Sequence, residues 1–321
     1  MLLHLLVDYS FLYYKYKFQL DSGRIRRLTA PLNWKGAVIE KDISQIYYSI
    51  KEIEGFRRRF ENAGHDVFIS ICFDSPSKRK ELLQKIGEEA EANKYKSNRV
   101  KHLSDEDFEN IQFVQKLLTK AGYNTYRFNG YESDDIIAHL INNYGGAFDY
   151  NVIYTPDLDL LAHISTNVSA CRYKAAKGYT DVGIKNFSDY IGTELKCQMP
   201  YNALILYKAT VGDKSDCIDG IKKFGVKAFD KLVDKLNTEG VDWTLFRDYD
   251  KVKELINNLV STGYFTEDQG NQAQTSLLLV RPLEFINDDG SAIEVVQPKN
   301  HSNKDLREAA YMEYGMKSLV E

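Results

Sequence analysis

The chain has 321 residues, 43% of them hydrophobic and 27% charged, and a net charge of −4. These are ordinary values for a globular protein of one large or two unequal domains, and no apolar run reaches the ~20 residues of a membrane helix. Cys72, Cys171, Cys197 and Cys217 show no CxxC spacing and the histidines form no HExxH or HxxxH pair, which argues against a zinc site and for reduced thiols in a cytoplasmic setting.

In chain order, the opening "MLLHLLVDYS" is too short and too poor in basic residues for a signal peptide, and it reads as a buried strand ending at Asp8. "ISQIYYSIKEIEGFRRRFENAG" has the pattern of a helix, and "DVFISICFD" is a second strand, ending at Asp74. Residues 76–101 are helix-compatible and carry eight basic against four acidic side chains. That local excess means the overall negative charge does not exclude a polyanionic partner. "DFENIQFVQKLLTKAG" is an amphipathic helix and "YNTYRF" a short strand. "GYESDDIIAHLI" then turns into a helix with Glu132, Asp134 and Asp135 in its first turn. "NVIYTPDLD" is a further strand, with Asp157 and Asp159 at its end. In "VGDKSDCIDGI", Asp213 and Asp216 lie three apart and share a face if the segment is helical. Residues 236–280 read as mostly helical, with Trp243 and Phe246 buried and "VSTGYFT" a turn. The last thirty residues, with "PKNHSNKDLREAAYMEYG", read as a loop and one short packing helix.

Strand followed by helix, repeated, predicts an α/β fold with a parallel sheet covered by helices. Ligands of such sheets bind outside the carboxyl ends of the strands, where Asp8, Asp74, Asp157 and Asp159 emerge. Nine carboxylates brought to one rim repel each other unless cations are present. Hard divalent ions such as Mg²⁺ or Mn²⁺ take oxygen ligands, and two of them ~4 Å apart form a clamp for hydrolysing a phosphodiester. Each piece alone has a plainer explanation. An acidic helix start is favoured by the helix dipole, "PDLD" is a turn, and "GDKSD" is a loop with a helix cap.

Six segments in order, "VDYS", "CFDSP", "YKSNR", "GYESDDIIA", "TPDLDLL" and "GDKSDCIDGIKKFGVKAF", resemble the 5′-nucleases. That family comprises flap endonucleases, the N-terminal 5′-exonuclease domain of bacterial DNA polymerase I and bacteriophage 5′-exonucleases. The resemblance covers roughly residues 1–235. It implies a PIN-like, Rossmann-type parallel sheet flanked by helices, a helical arch and a C-terminal helical helix–hairpin–helix region. On that pattern, residues 1–195 form the catalytic domain with the arch at about 76–101. Residues 196–290 form a duplex-DNA-binding region with the helix–hairpin–helix at about 213–235, and 291–321 form a tail with a short helix.

Carried over residue by residue, Asp8, Asp74, Glu132 and Asp134 match the carboxylates around a first metal ion. Asp157, Asp159 and Asp213 match those around a second, and Asp135 and Asp216 fall on further acidic positions that bind metal directly or through water. Lys96 and Arg99 match the basic pair that contacts the reacting phosphate, and their spacing of three places them on one face of a helix. Tyr14 matches an aromatic that stacks on a base, and Tyr95 is placed to stack on or steer the substrate. In "GIKKFGVK", Lys222, Lys223, Gly225 and Lys227 belong to a hairpin that grips the duplex backbone. Lys223 stands where the family often has the first of two glycines, which puts the hairpin's backbone angles and a monovalent-cation site of some relatives in question.

The resemblance implies a divalent-metal-dependent, structure-specific 5′-nuclease with two Mg²⁺ or Mn²⁺ ions, acting on 5′ flaps, nicked or gapped duplexes, or RNA paired to DNA. The alternative is a non-catalytic DNA-binding protein on the same fold, which a lost metal aspartate would signal; none of these positions is lost. A related phosphatase or RNase would lack the duplex grip. The expected form is a monomeric, separate polypeptide, of a size that suits a bacteriophage, with no membrane association. A polymerase or a single-strand-binding protein is a candidate partner.

Overall fold

The computed structural model describes residues 1–98, 103–287, 290–299 and 303–319. Its first elements are β1 (Leu2–Asp8), α1 (Tyr9–Asp21), β2 (Thr29–Trp34), β3 (Ala37–Asp42), α2 (Ser44–Asn62) and β4 (Asp66–Cys72). Next come α3 (Arg79–Lys85), α4 (Glu89–Lys94), α5 (Asp105–Lys120), β5 (Asn124–Tyr126), α6 (Ser133–Tyr144) and β6 (Tyr150–Tyr154). The remainder is β7 (Val168–Lys174), β8 (Gly178–Val182), α7 (Ile184–Leu195), α8 (Leu204–Val211), β9 (Gly212–Asp213), β10 (Ile218–Asp219), α9 (Val226–Thr238), α10 (Tyr249–Ser261), α11 (Glu267–Val280) and α12 (Lys304–Glu313).

These elements fall into two compact units. The first takes Met1–Pro76, Lys101–Thr155 and Phe285–Glu321; the second takes Ser77–Val100 and Pro156–Glu284. One division between the units falls after Thr155, and residues 285–321 group with the first unit.

In the first unit, β5, β4, β1 and β6 lie side by side in that order and run parallel, as the alternation of strand and helix predicts. The register pairs Asp8 with Cys72, Cys72 with Tyr126 and Val7 with Tyr154, so all four strands end at one edge. β1 is an apolar run whose Leu5, Leu6 and Val7 are fully buried, as a central parallel strand requires. α6 packs on β1 and β4, and α12 packs on α5. α5 starts with a capping box, Ser104 and Asp107 exchanging hydrogen bonds. β2 and β3 form a separate antiparallel hairpin.

The second unit joins the antiparallel hairpin β7–β8 to a group of helices in which α11 packs on α8 and α10. Phe246 is buried as expected, whereas Trp243 is only half-buried, because its indole N–H donates 2.7 Å to Asn237 Oδ1 at the surface. Among the described residues, no helix is long and apolar enough to cross a membrane.

Candidate metal and nucleic-acid sites

In the first unit, the strand edge gathers five carboxylates. Asp8 ends β1 and caps α1, its Oδ1 accepting the Phe11 amide at 3.3 Å. Asp74 follows β4 in a loop tied on both sides: the Phe73 amide donates to the Tyr126 carbonyl at 2.9 Å and the Ser75 amide to the Tyr131 carbonyl at 3.0 Å. Glu132 is the N-cap of α6, with Asp134 and Asp135 in the first turn. Ligand oxygens of these last three lie within 4.8 Å of one another.

Two short hydrogen-bond chains bind this group together. The Ser133 amide donates to Asp74 Oδ1 at 2.6 Å and its hydroxyl to Asp8 Oδ1 at 3.0 Å, so one residue of the α6 start touches both strand-end aspartates. Inside the turn, the Glu132 amide donates to Asp135 Oδ2 at 3.0 Å and the Asp135 amide to Asp134 Oδ1 at 2.8 Å. Asp135 is fully buried. The nearby Cys72 thiol is pushed well up, first by burial and then by the charges of Asp8 and Asp74. Tyr131 steadies the loop, stacking on Phe285 at 4.2 Å and donating its hydroxyl to the Ile286 carbonyl at 3.0 Å.

An all-oxygen set of five carboxylates, three of them within one coordination sphere of each other, fits a hard divalent cation. The helix dipole accounts for an acidic first turn, but not for Asp8 and Asp74 being held to that same turn through Ser133.

The second unit holds the other four acidic residues. Asp157 accepts the Asp159 amide at 2.9 Å in the turn that opens this unit, and Arg172 donates to the Pro156 carbonyl of the same turn. Lys208, on the otherwise apolar helix α8, pairs its ammonium with Asp159 and, at 2.6 Å, with Asp213 Oδ2. Burial acts to raise the Asp213 carboxyl, but the Lys208 ammonium and hydrogen bonds from Lys208 and Ser215 outweigh it and hold it below the usual carboxylate range. The condition for a shared helical face is not met, and the loop reading of "GDKSD" holds. Asp213 lies in β9 and Asp216 in the following turn, because Gly212 (φ +91°) and Cys217 (φ +57°) fold the segment into a tight hairpin. The two aspartates consequently face different partners.

Gly212 is required by that hairpin. A Cβ there would lie 2.4 Å from the Gly220 nitrogen and 2.6 Å from the Ile218 oxygen, both backbone atoms that cannot move aside cheaply. Gly212→Ala is expected to destabilise the second unit by about 3 kcal/mol, read from denaturant unfolding. A loss under about 1 kcal/mol would show that the hairpin is not built this way.

Lys96 is also placed differently from expectation. α4 ends at Lys94, and Lys96 has left the helix with φ +53°. Arg99 itself lies outside the described residues. Tyr95 is 2% exposed and carries the Lys96 ammonium 5.0 Å over its ring, so it is packed inward and does not offer a stacking face. In the arch segment, α3 and α4 are separated by Gly87 in the left-handed region, and Arg79 is buried, donating to the Arg281 carbonyl at 3.1 Å. Tyr14, on α1, is exposed.

In the hairpin before α9, Lys222, Lys223 and Lys227 are all exposed, and Gly225 is the N-cap. Lys223 adopts φ +64°. The backbone angle that a glycine would take is kept, and a lysine bears its cost. Phe224 secures the turn edge-on to Phe265 at 5.5 Å between centroids.

A family described as 5′-3′ exonuclease, N-terminal resolvase-like domain, matches residues 4–190. The chain belongs to this 5′-3′ exonuclease family. It is 30% identical to the 5′-3′ exonuclease of Aquifex aeolicus over 192 residues, 58% of this chain and 60% of that protein. It is 27% identical to DNA polymerase I of Caldicellulosiruptor bescii over 196 residues, 61% of this chain and 21% of that protein. The chain thus spans about a fifth of the length of that polymerase. A solved structure of the bacteriophage T5 D15 protein co-crystallised with metal ions superposes with a TM-score of 0.55 at 17% identity, covering 87% of each chain. At that identity the likeness is one of fold, and it agrees with the parallel sheet flanked by helices.

Sequence reasoning missed two residues that the structure brings against the acidic side chains. Ser133 was hidden between two acids, though a small hydroxyl at the first helical position next to an N-cap is a recognisable signal. Lys208 was legible as the single charge in "NALILYKATV", where a lysine on an apolar face requires a carboxylate partner.

Proposed function

We propose that this protein is a structure-specific, divalent-metal-dependent 5′-nuclease that hydrolyses phosphodiester bonds at 5′ ends or flaps of DNA, including RNA primers paired to DNA. The observation that carries the reading is the convergence of Asp8, Asp74, Glu132, Asp134 and Asp135 through Ser133. Family membership supports it, as do the metal ions of the T5 D15 structure and, in another T5 structure, described as a flap endonuclease, a complex with DNA and metal ions.

Asp8, Asp74, Glu132 and Asp134 would hold one Mg²⁺ or Mn²⁺, with Asp135 fixing the turn, and Asp157, Asp159 and Asp213 would hold a second. When bound, such ions lower the pKa of a water and stabilise the leaving oxygen of an in-line displacement. The remaining work belongs to the chain's own residues. Ser133 holds Asp8 and Asp74 in register. Lys208 screens Asp159 and Asp213 from each other, and Lys96 and Arg99 neutralise charge on the phosphoryl oxygens. Tyr14 is exposed for stacking on a base. Lys222, Lys223 and Lys227 contact duplex phosphates without reading sequence. The products carry a 5′-phosphate and a 3′-hydroxyl. The enzyme works as a monomer in the cytoplasm, with a polymerase or a single-strand-binding protein as candidate partner.

Lys223 gives a separate check on the duplex contact. Lys223→Gly relieves a left-handed lysine and is expected to stabilise the protein by about 1 kcal/mol. The same change should weaken duplex binding and reduce the slope of log affinity against log salt by about 1. An unchanged salt slope would remove Lys223 from the interface.

The direct test offers a 5′-labelled flap duplex and a nicked duplex with Mg²⁺ and examines the product ends. Cutting near the junction to leave a 3′ end that a polymerase extends supports the nuclease. Tight flap binding without cutting in Mg²⁺ or Mn²⁺ supports the DNA-binding alternative.

A further inference from the structure

The stretch after α4 is fastened to the aspartate hairpin β9–β10 within the second unit. Lys94 pairs with the Asp219 carboxylate, and the Lys96 amide donates to the Asp216 carbonyl at 2.8 Å. The Lys96 ammonium lies 3.6 Å from Asp216 Oδ2, and Asn98 Nδ2 donates to the Ser215 carbonyl at 3.3 Å. The hairpin is seated in turn on α11, where the Ser276 hydroxyl donates to the Asp219 carbonyl at 2.5 Å.

Two features make Asp216 stand out. Its residue is 7% exposed, and its carbonyl and carboxylate both engage Lys96, whereas Asp213 turns to Lys208 and Ser215. Lys96 holds φ +53°, a conformation that is costly for a non-glycine residue and persists only where its surroundings impose it.

We propose that Asp216 is a positioning residue that fixes Lys96 for the reacting phosphate, and that this is its main role, not metal ligation. The proposal rests on the reading above that Lys96 contacts that phosphate. A lysine side chain has four rotatable bonds, and a bond to one carboxylate oxygen restricts where its ammonium can lie. The backbone bond to the Asp216 carbonyl sets where the side chain begins, and the carboxylate sets where it ends.

The test uses the full chain. In EDTA and without DNA, hydrogen exchange of peptides covering residues 94–98 is compared between wild type and Asp216→Asn. Exchange is expected to quicken about tenfold in the variant, and to the same extent when Mg²⁺ is added. Single-turnover cleavage is then measured for Lys96→Met, Asp216→Asn and the double variant over a range of Mg²⁺ concentrations. The double variant should cut within about twofold of Lys96→Met alone, since both changes remove the same interaction. The Mg²⁺ concentration for half-maximal rate should not move in Asp216→Asn. Unchanged exchange in EDTA, or additive losses with a several-fold rise in the Mg²⁺ requirement, would overturn the proposal and return Asp216 to the metal. Normal cutting by Lys96→Met would overturn it through the phosphate reading, a failure separable from the EDTA comparison, which needs neither metal nor cleavage.

Discussion

Asp134→Asn should lower single-turnover flap cleavage by about a thousandfold, roughly 4 kcal/mol of barrier, while leaving flap binding in place. The substitution is chosen because an asparagine Oδ1 can still accept the Asp135 amide that Asp134 accepts at 2.8 Å, so the start of α6 survives. What disappears is one negative charge from a set whose oxygens lie within 4.8 Å of each other. Without a cation, removing that charge would relieve repulsion and stabilise the protein. With a cation in the reaction, it takes away a ligand, and activity collapses. A loss of tenfold or less would mean that the three carboxylates are only an acidic helix start.

The second large effect concerns stability. Glu54, on α2, is 1% exposed and is surrounded by donors: the hydroxyls of Tyr123 and Tyr311 at 2.6 Å, Arg57 Nε at 2.8 Å and Arg307 Nε at 3.8 Å. Burial, the Glu54 charge and its hydrogen bond keep the Tyr123 phenol protonated far above its usual range, with the two arginines pulling the other way. Arg307 and Tyr311 belong to α12, so this one carboxylate fastens the C-terminal helix to the first unit. Glu54→Ala would leave two guanidinium groups and two phenols with their common acceptor gone. The expected cost is about 3–5 kcal/mol, seen as a fall of roughly 10 °C in the midpoint of thermal unfolding. A fall of less than about 2 °C would show that α12 is held by apolar packing alone.

The parallel sheet was readable because its strands are continuous apolar runs that end in acid, a pattern that needs no tertiary information. Asp8 and Asp74 were placed at the strand edge on that basis; the register ends β1 at Asp8, and Asp74 lies in the loop just after β4. The failures share a cause. Lys96 was assigned to a helical face by its spacing of three from Arg99, and a shared face for Asp213 and Asp216 hung on their segment being helical, but spacing carries no information about backbone angles. Left-handed Lys96 is held by a contact far away in sequence, the Asp216 carbonyl that accepts its amide. No local propensity announces a left-handed lysine. Tyr95 was expected to stack on or steer the substrate because it adjoins Lys96 in "YKSNR", and the structure gives its ring to the interior. Glu54 and Arg307, 253 positions apart, could not have been paired from the sequence at all.

The measurement that tests the central claim most directly is a Mn²⁺ titration of the protein without DNA, followed by electron paramagnetic resonance, for wild type and for Asp134→Asn. Wild type should remove Mn²⁺ from the free pool at stoichiometric ratios, and the variant should bind it at least about tenfold more weakly, a difference of 1.4 kcal/mol. Equal binding by both proteins, or none by wild type, would contradict the assignment of the carboxylates at the start of α6 to a metal site.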